Sequence, residues 1–143
     1  MGRIGTGLGL LAGAALSLSA CASAPPPAPA PVCPAGQEPM RTAQLFFGRN
    51  IGDRPAVSQE DFQRFLDEVV TPRFPTGLTV LEGGGQWKGA ENVLIREASK
   101  IVVLVIPKGE GRMRKVEEIR KAYKDRFGQE SVLLVTQEAC VAF

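Results

Sequence analysis

Ile101-Val102-Val103-Leu104-Val105-Ile106 is a run of six aliphatic residues with no polar break. A strand points alternate side chains to opposite faces, so this one is apolar on both and belongs in the interior of a sheet. The strand reads back to Asn92. Upstream, Arg41 to Gly48 alternates, with Ala43, Leu45 and Phe47 on one face and Thr42, Gln44 and Phe46 on the other. That pattern predicts a first strand ended by Gly48. Gly77 to Trp87 reads as another strand, interrupted by Gly83-Gly84-Gly85, where a bulge or sharp twist is expected. Ser131 to Thr136 starts the last, with Cys140 to Phe143 as its candidate continuation.

Between the strands the apolar period changes from two to that of a helix. Ser58-Gln59-Glu60-Asp61 resembles a capping box with Asp in place of Glu, and Phe62, Phe65, Leu66, Val69 and Val70 form one stripe. Pro72 and Pro75 stop this first helix. Met113, Val116, Ile119, Tyr123 and Phe127 mark a second, closed by Gly128. The order β-α-β-β-α-β is that of the ferredoxin-like split motif, an α+β sandwich of a four-stranded antiparallel sheet with two helices on one face. In that motif strands one and three are central, and the apolar run fits the third. The other sheet face is left open with three aliphatic side chains from this strand. Open apolar faces usually find a partner. A homodimer through that face is one expectation, and coverage by the chain's own terminal segments is the alternative.

The chain has 143 residues, 17 Lys+Arg against 15 Asp+Glu, and no histidine. The missing histidine excludes His-based triads, His proton shuttles and His-containing zinc sites. A formal charge of +2 is too even for a basic nucleic-acid face, so no nucleic-acid partner is expected. No cofactor motif survives inspection. Gly7-Leu8-Gly9-Leu10-Leu11-Ala12 matches a dinucleotide fingerprint by letter but follows no strand.

Met1-Gly2-Arg3 is followed by an uncharged, Gly/Ala/Leu-rich stretch from Ile4 to Ala20. As a helix these residues span about 26 Å, short of the roughly 30 Å of a bilayer core, so the pattern is a secretory signal. Its exit, Leu18-Ser19-Ala20-Cys21, resembles the lipobox of bacterial lipoproteins. That resemblance implies cleavage before Cys21, acylation of Cys21 and a partner in the lipid bilayer. Residues 1–20 are then the signal, 21–39 an Ala/Pro-rich tether, and 40–143 a single domain. Two or three acyl chains hold a protein where one does not. Ala22, rather than Asp, follows the cysteine. By resemblance to Gram-negative sorting, this favours the outer membrane over the inner, with the domain facing the periplasm. Ordinary cleavage after Ala22-Ser23-Ala24 is the alternative, and it would release a soluble secreted protein. If Cys21 carries lipid, Cys33 and Cys140 remain as an even pair in an oxidising compartment, where a disulfide is expected. Two free thiols or a redox couple stay open.

The ordered series Leu45-Phe46-Phe47-Gly48, Thr71-Pro72-Arg73-Phe74-Pro75, Gly77-Leu78-Thr79-Val80, Gly85-Gln86-Trp87, Arg96-Glu97-Ala98-Ser99-Lys100, Tyr123 through Phe127 and Gln129-Glu130-Ser131-Val132 resembles a family of bacterial secreted proteins and lipoproteins. That family is known only as a domain of unknown function. The resemblance covers roughly Cys33 to Phe143 and implies envelope localisation and a compact α/β domain, but no activity.

Candidate chemistry gathers at Trp87, Arg96, Glu97 and Lys100. In a hairpin, Trp87 and Arg96 both lie near the loop end, where they suit a stacked pair or a clamp on an anion or sugar. The competing reading is a solvated cross-strand network, with Trp87 capping the core. Arg73, held between two prolines, is either a ligand clamp or a partner for carbonyls and carboxylates at a helix end. Lys108-Gly109-Glu110-Gly111-Arg112, with Arg114 and Lys115, places positive charge at a helix N-terminus. That opposes the macrodipole unless an anion docks there. The sequence therefore favours a binding or self-associating domain, with an enzyme or a purely structural envelope component as the alternatives. The enzyme alternative would use Glu97 with Arg96 and Lys100.

Overall fold

The computed structural model describes residues 32–51, 54–55, 57–88, 92–109 and 111–143. The expected signal, Cys21 and most of the expected tether lie outside the described residues. The elements in order are β1 (Glu38–Gly48), β2 (Asn50–Ile51), β3 (Arg54–Pro55), α1 (Gln59–Phe65), a π-helical turn (Leu66–Val70), β4 (Thr79–Lys88), β5 (Leu94–Ile106), α2 (Arg112–Phe127) and β6 (Leu133–Val141). Four strands form one open antiparallel sheet in the order β4-β5-β1-β6. The architecture is α+β, two helices on a four-stranded sheet. The strand with the unbroken aliphatic run is an inner one.

Register explains that placement. Leu45 faces Val102 and Ala43 faces Leu104 across β1 and β5, and all four are buried beneath the helices. Thr42, Gln44 and Phe46, with Ile101, Val103 and Val105, alternate onto the other face and are only partly covered. α1 contributes Phe62 and Phe65, the π turn Leu66, Val69 and Val70, and α2 Val116, Ile119 and Tyr123 to one core. Phe47 sits at its centre, with ring centroids 5.7 Å from Phe62, 5.8 Å from Phe65 and 4.6 Å from Tyr123. Such edge-to-face pairs add about 0.5–1.5 kcal/mol each beyond area burial.

The helix ends follow the sequence closely. Ser58 Oγ accepts from Asp61 N–H at 3.0 Å and donates to the Asp61 carboxylate at 2.6 Å. Gly128, at φ 64°, ends α2 in the left-handed conformation that favours glycine. Two local features were not anticipated. Thr71 N–H donates to Leu66 O at 2.8 Å, widening the first helix into a π turn where consecutive Val69 and Val70 are both buried. The short β2–β3 ribbon is the other.

β1 begins at Glu38, two residues before the expected domain start at Met40, so the tether's end is part of the sheet. Pro39 lies beyond the last β1–β5 pair, Arg41 with Ile106, where β1 is an edge and proline is tolerated. Cys33 and Cys140 form a disulfide with Cα atoms 5.5 Å apart, closing 107 residues of chain. This is the expected pairing. Replacing either cysteine by serine is expected to lower unfolding free energy by about 2–4 kcal/mol. Denaturant curves of the oxidised and reduced protein check it, and identical curves would contradict it.

Tyr123 is fully buried, and its hydroxyl donates to Gly48 O at 2.8 Å. Burial pushes its phenol well above the usual value; Arg49 pulls it back, and Glu97 pushes it the same way as burial. A group with a raised folded pKa contributes stability below its unfolded pKa, about 10 for tyrosine, and loses it above. The chain has one tyrosine, so its phenolate absorbance is unambiguous. That absorbance is expected to appear only together with unfolding as pH rises past about 10. A phenolate signal in the folded protein near that pH would contradict the burial account.

Candidate functional site

The β4–β5 hairpin sorts the candidate residues. Trp87 pairs with Ile95, Gln86 with Arg96, Gly85 with Glu97, Gly83 with Ser99 and Glu82 with Lys100. Because side chains alternate, Trp87, Glu97, Ser99 and Ile101 share the open face, whereas Arg96 and Lys100 share the helix-side face. The cluster expected from sequence spacing is divided by the sheet. Trp87 and Glu97 are brought together, and Arg96 and Lys100 are turned away from them.

Lys100 stands opposite Phe47 in β1 and is 2% exposed. Its ammonium pairs with the largely exposed Glu82 carboxylate and lies 6.0 Å from the Phe62 ring centroid. Among the described residues it is a buried charge with a single carboxylate partner. Removing that partner strands the charge, whereas an apolar residue of similar volume replaces the pair at little cost. Glu82→Ala is therefore expected to destabilise the fold more than Lys100→Met, as measured by chemical denaturation. The reverse order would overturn this account of the pair.

Arg73 donates to Val69 O at 2.8 Å and to Glu118 at 3.3 Å. That matches the helix-end partnership rather than a free clamp. At the start of α2, Gly111 is left-handed and offers no side-chain cap, and Arg114 pairs loosely with Glu118 at 3.9 Å. Glu110 lies outside the described residues.

Trp87 and Glu97 line a concave pocket of about 700 Å³ on the open face. Phe46, Ile101 and Leu133 supply apolar lining, and Ser99, Asn50 and the Gln129–Ser131 segment supply polar groups. Trp87 is 52% exposed, so its indole is available to a ligand. Glu97 accepts from Asn50 N–H at 3.0 Å, and Gln129 Nε2 donates to Asn50 O at 2.6 Å. Two glycines make room. A Cβ on Gly48 would lie 2.9 Å from the Glu97 carboxyl carbon, so any side chain there displaces the carboxylate. A Cβ on Gly83 would lie 2.7 Å from Ser99 Oγ. The glycine run continues β4 without a break in pairing, contrary to the expected bulge. Arg96 lines a more open recess of about 490 Å³ with Gln86, Ala98 and the glycine run, and Glu97 contributes to its wall as well. That recess has no aromatic wall. Among the described residues, no group of three His, Cys, Asp or Glu side chains is placed to hold a metal ion.

A family model described as "Protein of unknown function (DUF3574)" matches residues 42–143. The chain belongs to that family. No curated protein matches it. Two solved structures share the fold of this DUF3574 domain. One, a phage SAM lyase in complex with S-methyl-5′-thioadenosine, is 18% identical with a TM-score of 0.57, covering 81% of this chain and 97% of its own. The other, a phage SAM lyase in its apo state, is 22% identical with a TM-score of 0.57, covering 76% of this chain and 92% of its own. At that identity the likeness shows the fold alone.

Sequence reasoning found Trp87 and Glu97 in this DUF3574 chain but missed Phe46, Ser99, Ile101, Leu133, Asn50 and Gln129. Strand alternation applied from Trp87 across the hairpin would have found Ser99 and Ile101. The rest depend on the strand order and on segments far apart in sequence.

Proposed function

We propose that the protein is a lipid-anchored envelope protein whose domain binds a small molecule in the open-face pocket. The observation that carries the binding reading is the convergence of an exposed indole and a fixed carboxylate over an apolar floor, in a cavity of ligand size. Binding is preferred to catalysis because Glu97 has neither Arg96 nor Lys100 beside it to complete an acid–base set. We read the topology as the ferredoxin-like split motif. Its support is a helix after the first and third sheet strands, with those two strands innermost. Anchoring rests on Leu18-Ser19-Ala20-Cys21, and outer-membrane placement on Ala22. Palmitate labelling is expected to mark the wild-type chain and not Cys21→Ser. Membrane retention of the substituted protein would reject the anchor. Exposed Leu81 and Val135 continue the open face beyond the pocket, in keeping with self-association there. A monomer by light scattering would exclude it.

Trp87 is the chain's one tryptophan, so its emission reports the pocket directly. Titrating the full chain in detergent micelles with a panel of small polar molecules, S-methyl-5′-thioadenosine among them, is expected to shift that emission saturably. An unchanged spectrum across the panel would reject the pocket. A second reading, an enzyme of the SAM lyase type, is favoured by a fold likeness spanning nearly all of the phage chain. It predicts that SAM is converted to S-methyl-5′-thioadenosine and that Glu97→Gln stops the conversion.

A further inference from the structure

The pocket has a charge that its surroundings do not share. The chain carries a formal +2, yet Glu97 and Glu130 are the only charged side chains lining the pocket among the described residues. Elsewhere the carboxylates of Glu68, Glu82, Glu117, Glu118, Asp125 and Glu138 each meet a Lys or Arg. Glu97 is partly buried, yet its partner is a neutral amide, the Asn50 N–H. Among the described residues no Lys or Arg pairs with Glu97, and an unpaired carboxylate in a partly enclosed site attracts an arriving cation more than a paired one does. Asn50 N–H holds one of its oxygens, and the missing side chain of Gly48 leaves the carboxylate its room. The walls suit the same charge. Trp87 and Phe46 line the pocket, and aromatic rings attract cations through their faces, while Ile101 and Leu133 suit an apolar body.

We propose that the pocket selects a small organic cation, an amine or quaternary ammonium on an apolar body, with Glu97 as its counter-charge and Trp87 as its π wall. This rests on the binding reading of the same pocket. It replaces the anion or sugar expected from Arg96, which lies on the other face of the hairpin. Gly83 lets the Ser99 and Ile101 side chains pack over the strand at the pocket floor.

The test compares choline, its uncharged carbon isostere dimethylbutanol, S-methyl-5′-thioadenosine and inorganic phosphate, each titrated against Trp87 emission of the full chain in nonionic micelles. Choline is expected to bind at least about tenfold tighter than the isostere, a preference worth one decade in affinity. Glu97→Gln keeps an acceptor for Asn50 N–H and is expected to abolish the preference. Equal binding of choline and isostere, or tighter binding of phosphate or the neutral nucleoside, would overturn the cation while leaving the pocket standing. Silence of Trp87 towards all four would remove the pocket and this inference together. A preference that survives Glu97→Gln would remove Glu97 from the role.

Discussion

The packing of Tyr123 on Phe47, closed by the Tyr123 hydroxyl on Gly48 O, is the constraint on which the rest of the structure turns. Phe47 is the last apolar residue of an inner strand, and both helices bring aromatic rings onto it. A buried hydroxyl must find an acceptor, and the carbonyl of Gly48 is the one at hand. That bond pins the end of β1. The backbone just beyond it then carries Asn50 N–H to Glu97. Core packing on one side of the sheet thus sets the position of a carboxylate on the other.

Strand alternation keeps structure and chemistry apart in this small domain. Phe47 builds the core while its neighbour Phe46 lines the pocket. Lys100 is sealed beneath the helices while Ser99 faces the cavity. A sheet of four strands with helices on one face has a second face available, and here one end of it is concave, aromatic and acidic. The disulfide adds a boundary condition from the far end. It ties the segment before β1 to β6, at the opposite end of β6 from Leu133, which lines the pocket.

Much of the fold was legible because local rules agreed with one another. The aliphatic run of β5, the alternation of β1, the Ser58 cap and the Gly128 stop each pointed to the element that formed, and the Cys33–Cys140 pair was expected once Cys21 was assigned to lipid. The site was half legible. Trp87, Arg96, Glu97 and Lys100 looked like one cluster because sequence closeness was read as spatial closeness. In a strand, adjacent residues are separated by the sheet itself, so Glu97 parts from Arg96 and Lys100. The remaining lining comes from Phe46, Leu133 and Gln129, whose meeting with Trp87 depends on the strand order. The π turn was hidden because its residues carry the same apolar stripe as an α-helix.

A backbone amide shift map tests the central claim most directly, and a 15.3 kDa chain is small enough for one. On titration with choline, the account predicts movement concentrated at Phe46, Gly83–Trp87, Glu97–Ile101 and Gln129–Leu133, with Arg112–Lys115 at the start of α2 unmoved. Shifts confined to Arg112–Lys115, or spread evenly over the sheet, would contradict it.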